Sequence, residues 1–165
     1  MTNIYLPNDD GTTTTTEIDL IMITTTGVYV FESKNYSGWI FWDENTKFWT
    51  QSLKDGEKYR FNNPIWQNKK NISALQKLLR LGNYMFRSYI IFSERCELKK
   101  MFVHSPEVKV MNQNVLFREV ADDITYLPEV LSILEIKQIH TELSKYALAD
   151  DATKQAHIDA IKWRN

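Results

Sequence analysis

The chain has 165 residues, of which 43% are hydrophobic and 25% charged, a composition typical of soluble globular proteins and of a single domain. Its apolar runs reach only four or five residues, whereas a transmembrane helix needs about 20. The first residues lack the basic and apolar regions of a signal peptide. The lone Cys96 excludes an intrachain disulfide and a multi-cysteine zinc site, and favours a reducing, cytoplasmic compartment. The five glycines are scattered, which excludes a P-loop and a dinucleotide fingerprint.

The first half of the chain is predicted to form strands. Residues 3–6 read as a short strand that ends at Pro7, followed by a turn and a threonine run. Residues 17–24 and 28–34 alternate and flank Thr26-Gly27, which predicts a hairpin. Residues 39–43 and 47–52 predict a second hairpin, and residues 57–61 an edge strand.

The pattern then changes to helical spacing. Asn63 and Pro64 are typical of an N-cap and a first helical residue, and the apolar spacing predicts a helix that ends near Gly82. Residues 87–93 read as a buried strand, and residues 101–104 and 107–110 as weaker strands. Helices are predicted near 114–119, 128–147 and 151–163. The predicted fold is α/β or α+β, with a mixed central β-sheet flanked by helices. Residues 1–165 form one domain, with a core at 4–110 and a helical part at 114–165.

Charged side chains with catalytic potential lie on the first hairpin. Side chains two apart on a strand share a face, so Glu32 and Lys34 point the same way, and the turn places Asp19 roughly opposite them. Two carboxylates and the carbonyl of Ser33 could bind a hard divalent cation, and Lys34 could assist a water. A salt-bridged cluster on a solvent-facing hairpin is the alternative, and the spacing alone favours it.

The order of several motifs resembles the NERD (nuclease-related) domain over roughly residues 4–165. The resemblance is carried by the following segments: Glu17 to Ile21, Gly27 to Tyr36, Trp39 to Phe41 with Trp49 to Gln51, Phe61 to Asn68 leading into Ile72 to Leu75, and His157 to Lys162. This family is assigned to the PD-(D/E)xK, restriction-endonuclease-like superfamily. The resemblance implies a nuclease that hydrolyses DNA phosphodiester bonds with Mg²⁺ or Mn²⁺. It assigns metal binding to Asp19 and Glu32, the outer motif positions to Glu32 and Lys34, and phosphate or water binding to Gln67.

One departure from the family concerns its usual N-terminal helix, which supplies a further glutamate. This chain begins at the following strand, so we expect that helix to be missing. Glu17 is a candidate substitute, or else a solvent-exposed residue at the hairpin mouth. An uncovered apolar sheet face would favour self-association, so a homodimer is predicted.

Charge and aromatic residues bear on possible partners. Residues 54–100 hold eleven Lys and Arg against four Asp and Glu. Phosphate contact or a solvated helix face would both explain the basic residues of the predicted helix, Lys69, Lys70, Lys77 and Arg80. Asn71 either lines the site beside Gln67 or belongs to a solvated stripe. The tryptophans at 39, 42, 49 and 66 either stack on bases or, as we favour, pack internally.

Three functions of different classes follow. The first is a nuclease acting on DNA, with RNA as an alternative substrate. The second is a catalytically silent nucleic-acid-binding module, and the third is a protein-interaction or assembly module. The matching aspartate, glutamate, lysine and glutamine favour the nuclease.

Overall fold

The computed structural model describes residues 1–7, 15–99 and 104–147, apart from the side chain of Thr15. Nine strands and three α-helices of at least eleven residues lie in these ranges, with short 3₁₀ turns at 83–85 and 113–115. In chain order they are β1 (Thr2–Pro7), β2 (Thr15–Thr24), β3 (Gly27–Lys34), β4 (Gly38–Phe41), β5 (Phe48–Ser52), β6 (Lys58–Asn62), α1 (Pro64–Leu79), β7 (Phe86–Phe92), β8 (Cys96–Lys99), β9 (Val108–Asn112), α2 (Leu116–Tyr126) and α3 (Ile133–Ser144). Among the described residues, no helix combines the length and apolar character needed to cross a membrane.

The larger sheet has the order β1-β2-β3-β7-β9. Its first three strands pair antiparallel, whereas β3, β7 and β9 run parallel. Parallel neighbours need a crossover connection, and α1 lies in the one between β3 and β7. The predicted mixed sheet flanked by helices is therefore confirmed.

A second, four-stranded sheet has the order β6-β5-β4-β8. The predicted second hairpin and edge strand are confirmed within it, but the prediction of one central sheet did not anticipate their separation. The sheet is completed by β8, which pairs parallel to β4 and which the sequence analysis missed. At the start of β4, Gly38 has φ 79°, and a Cβ there would lie 2.4 Å from the carbonyl oxygen of Ser52. Only glycine therefore allows β4 to approach the end of β5 this closely.

Helices cover both faces of the larger sheet. On one face, Ile72 and Leu75 of α1 join a buried cluster with Val28 and Val30 of β3. On the opposite face, Val120 of α2 packs against a cluster that includes the rings of Tyr29, Phe31 and Tyr89. Lys109 on β9 fixes α2 through Asp123 and Glu119, at 2.7 and 3.2 Å.

Several predicted boundaries were wrong. Helix α1 ends at Leu79, and Arg80, not Gly82, adopts the left-handed conformation that closes it, with φ 55°. The predicted helix 114–119 extends to Tyr126, and the predicted helix 128–147 is shortened to Ile133–Ser144, where Ser132 and Glu135 form a capping box. The weak strand at 107–110 is observed as β9, and His104 lies in no strand. Residues 101–103 and the predicted helix 151–163 lie outside the described residues.

Candidate active site

The predicted charged cluster lies at the open end of the β2–β3 hairpin, near the C-terminus of β3. The register pairs Leu20 with Phe31, so Asp19 is the next residue along β2 and Glu32 the next along β3. A carboxylate oxygen of Asp19 accepts a hydrogen bond of 2.8 Å from the amide nitrogen of Ser33. Alternation along the strands then places Asp19, Glu32 and Lys34 on one face of the sheet.

Glu32 is the unusual group of this cluster, because it is a carboxylate that is only 2% exposed. Its Oε1 lies 2.6 Å from Nζ of Lys34, whereas its Oε2 is buried without a hydrogen-bond partner among the described residues. Burial raises the pKa of Glu32 to about 7, against the opposing effect of Lys34, and the charges of Asp19 and Glu17 add to the increase. A buried, partly unpaired carboxylate costs free energy, and a cation bound there would offset that cost.

Helix α1 brings the fourth predicted residue to the cluster. Asn63 caps this helix through a 2.9 Å hydrogen bond from the amide of Ile65, as predicted, and Pro64 is its first residue. Gln67 therefore lies in the first turn, where its Oε1 accepts a hydrogen bond of 3.1 Å from Nζ of Lys34. Helix N-termini favour anions, so this turn is suited to a phosphate.

Glu17 precedes Asp19 by two residues on β2. It is half-buried, so the expectation of a solvent-exposed residue was wrong. The hydroxyl of Tyr5 on β1 donates a 2.8 Å hydrogen bond to Glu17 Oε1. Burial and this bond raise the pKa of Tyr5 to about 12. Glu17 is close enough to affect the charge of Glu32, but its bond to Tyr5 gives it a structural role in the described residues.

The donor set can be tested against a divalent metal. Within 1–7, 15–99 and 104–147, no group of three or more His, Cys, Asp or Glu side chains is arranged to hold an ion. Mg²⁺ differs from zinc in this respect, because it keeps several waters and often uses only one or two carboxylates. Asp19 and the unpartnered Oε2 of Glu32 supply two hard oxygen donors, so the residues present fit such an ion.

The basic residues of α1 do not form one group. Lys70 is exposed three positions after Gln67, and Lys77 is exposed seven positions after Lys70, so both lie on the Gln67 side of the helix. Lys69 instead lies 3.7 Å from the buried carboxylate of Glu44, and Arg80 closes the helix.

Two buried asparagines of α1 were not predicted to be internal. The side-chain amide of Asn68 donates to the carbonyl of Val30 at 2.9 Å and to the hydroxyl of Ser88 at 2.8 Å, which ties α1 to β3 and β7. Asn71 is only 3% exposed, so the solvated-stripe interpretation was wrong. Polar residues at helical spacing give no signal of such burial.

Arg95 is a further residue that the sequence analysis missed. It is exposed in the turn after β7, and its guanidinium donates a 2.6 Å hydrogen bond to the side chain of Asn35, the residue that follows Lys34. This contact places a permanent positive charge next to the end of β3. Only the parallel pairing of β3 with β7, which spans distant parts of the chain, could have revealed it.

Comparison with known proteins agrees with this geometry. Residues 1–93 match the family model of the nuclease-related domain. An uncharacterized protein from Bacillus anthracis is 34% identical over 144 residues, which cover 87% of this chain and 66% of that protein. The chain thus spans slightly less than two thirds of that relative's length. No solved structure matches significantly. The chain belongs to the nuclease-related domain (NERD) family, whose general context is the PD-(D/E)xK superfamily.

Proposed function

We propose that the chain hydrolyses phosphodiester bonds of DNA, as a metal-dependent endonuclease, at the site formed by Asp19, Glu32, Lys34 and Gln67. The observation that carries the proposal is the buried carboxylate of Glu32, with one oxygen on Lys34 and the other without a partner. A merely structural ion pair would be expected to satisfy both oxygens or to face solvent. RNA remains an alternative substrate.

The metal ligands in this proposal are Asp19, Glu32 and the backbone carbonyl of Ser33, with Glu17 as a further candidate. The ion is Mg²⁺ or Mn²⁺, because the donors are hard oxygens. When bound, it supplies Lewis acidity and stabilises negative charge on the phosphoryl oxygens.

The other side chains hold protons and charges around the scissile phosphate. Lys34 is placed to orient a water and to stabilise developing negative charge, since its ammonium lies between Glu32 and Gln67. Gln67 can turn its amide group toward a phosphate oxygen at the N-terminus of α1. Lys70 and Lys77 on α1 extend the positive surface away from the site, while Lys69 and Arg80 belong to the predicted nucleic-acid surface with less direct support.

Plasmid cleavage tests this function. We expect the protein to convert supercoiled plasmid into nicked and linear forms in Mn²⁺ or Mg²⁺ but not in EDTA. Lys34→Ala should abolish cleavage while circular dichroism shows an intact fold. Lys137→Ala removes an exposed ammonium on α3 and should cleave like the wild type. Absence of cleavage by the wild type, or equal cleavage by Lys34→Ala, would reject the proposal.

An assembly role is the second candidate, favoured by one specific observation. A groove of about 850 Å³ lies between the larger sheet and helices α2 and α3, and its lining is mostly apolar, with Leu20, Met22, Phe31, Leu116, Phe117 and Ile136 among the residues. Phe117 is 90% exposed there. A homodimer that covers this groove is compatible with a nuclease, and sedimentation of the wild type against Phe117→Ser tests it. We also propose a cytoplasmic location and a single domain over residues 1–165.

A further inference from the structure

The smaller sheet has one internal face and one open face. Ile40 and Trp49 are fully buried on the internal face, in a cluster with Phe92 of the larger sheet. Trp39 and Phe41 flank Ile40 on β4 and therefore point outward, where they are 41% and 39% exposed. The open face thus displays two large aromatic side chains that no described helix covers.

Cations lie on the same face as these rings, two strands away on β6. Phe41 is paired with Thr50 and Thr50 with Arg60, while Trp39 is paired with Ser52 and Ser52 with Lys58, so the outward positions of β4, β5 and β6 align. Arg60 and Lys58 therefore share the open face with the two rings.

A third aromatic side chain holds further cations in place. Phe48, 39% exposed at the start of β5, has the guanidinium of Arg60 5.1 Å and the ammonium of Lys47 5.0 Å from its ring centroid. Cation–π contact orients both groups without neutralising them. The positive charges of Arg60 and Lys47 therefore stay available to an anionic partner.

Among the outward positions of the four described strands, one carries an acidic residue, and its charge is largely neutralised. Glu97 on β8 lies opposite Trp39 and forms an ion pair with Lys99. The hydrogen bond from Lys99, and then one from Trp39, hold the pKa of the Glu97 carboxyl below its ordinary value. Lys47, Lys58 and Arg60 therefore leave the face positive.

Flat rings with a row of cations beside them on the same sheet face fit single-stranded nucleic acid better than other occupants. Trp39 and Phe41 are two residues apart on one strand, so their attachment points are about 7 Å apart, roughly twice the spacing of stacked bases. Each ring can stack on one base, while the phosphates of the same strand reach the cations on β6. A duplex hides the faces of its bases, and a protein partner would meet lysines that protein interfaces usually exclude.

We propose that this open face, formed by Trp39, Phe41, Phe48, Lys47, Lys58 and Arg60, binds single-stranded nucleic acid. Gly38, the first residue of β4, follows Lys34 by four residues, a path of at most about 14 Å. The start of β4 therefore lies close to the candidate active site, and delivery of a strand bound on this face to that site rests on the proposed nuclease function. Binding itself needs no catalysis.

Fluorescence anisotropy of a labelled 15-nucleotide oligo-dT, in EDTA and with the full chain, tests the proposal. The double variant Trp39→Ala/Phe41→Ala should weaken binding at least tenfold, since stacking contributes about 1–3 kcal/mol per base. Trp39→Phe in the otherwise unchanged chain keeps a ring and should retain most of the affinity. Tyr126→Ala, which removes an 80% exposed ring from α2, should bind like the wild type.

Further measurements separate the outcomes. Arg60→Ala should lower the dependence of binding on salt, because one phosphate contact is lost. Unchanged affinity of the double variant, or equal affinity for a duplex of the same length, would overturn the proposal. A wild type that binds oligo-dT but does not cleave plasmid would reject only the nuclease function, because binding on this face needs no catalysis.

Discussion

Replacing Glu32 by Gln should make the metal-free protein relatively more stable as the pH rises. Gln keeps the shape of the side chain but removes the buried charge. In the wild type, burial raises the pKa of Glu32 from 4.5 to about 7. Between these values the folded state binds more protons than the unfolded state, so the stability that this group contributes falls as pH increases.

The size of the effect follows from linkage. One pKa unit corresponds to about 1.4 kcal/mol, so complete ionisation of Glu32 costs the folded state about 3 kcal/mol. Between pH 5.5 and pH 8.5, the fall in stability occurs mainly below the folded-state pKa of about 7. The stability difference between Glu32→Gln and wild type should therefore shift by about 2 kcal/mol in favour of the variant over this range.

Urea denaturation in EDTA at the two pH values measures this shift. Losses that do not depend on pH, such as altered packing around the amide, cancel when the two differences are compared. Glu129→Gln removes an exposed carboxylate in the segment before α3 and controls for net charge. A difference between Glu32→Gln and wild type that stays constant, or moves against the variant at high pH, would refute the assignment of a desolvated carboxylate.

Three substitutions probe the framework around the site, each by urea denaturation against wild type. Gly27→Ala should cost about 2–3 kcal/mol, because φ is 137° and the new Cβ would lie 2.5 Å from the carbonyl oxygen of Met85. A Gly27→Ala variant as stable as the wild type would contradict this backbone conformation. Asn68→Ala should cost a similar amount, because two buried acceptors lose their donor. A loss under 0.5 kcal/mol, on the order of surface effects, would contradict the role of Asn68 in holding α1 to β3 and β7. Glu44→Ala should cost about 3 kcal/mol and speed hydrogen exchange of the Ser105 amide, which donates to its carboxylate; unchanged exchange would exclude that role.

Much of the site could be predicted because its geometry is local. The hairpin follows from two alternating segments around Gly27, and a strand pair fixes which side chains share a face. The N-cap at Asn63 is likewise a local signal, and it places Gln67 in the first helical turn. These short-range rules therefore bring Asp19 and Glu32 together and set the helical position of Gln67, whereas the contact of Gln67 with Lys34 depends on the packing of α1 against the sheet.

The features that were missed depend on pairing between distant residues. The apolar–polar alternation of β8 covers only four residues, the lower limit of a strand signal, and the parallel pairing with β4 is what makes them a strand. The burial of Asn68 depends on acceptors in β3 and β7. The residue type alone cannot separate Trp49, which is internal, from Trp39, which lies on the open face.

Titration calorimetry of the apoprotein with Mn²⁺ tests the central claim, a metal site at Asp19 and Glu32, most directly. At pH 8 the wild type should bind the ion with measurable heat, and Asp19→Asn should weaken that binding at least tenfold, since one of two carboxylate donors is lost. The Glu129→Gln variant should bind like the wild type. No binding by the wild type, or unchanged affinity in Asp19→Asn, would contradict the claim.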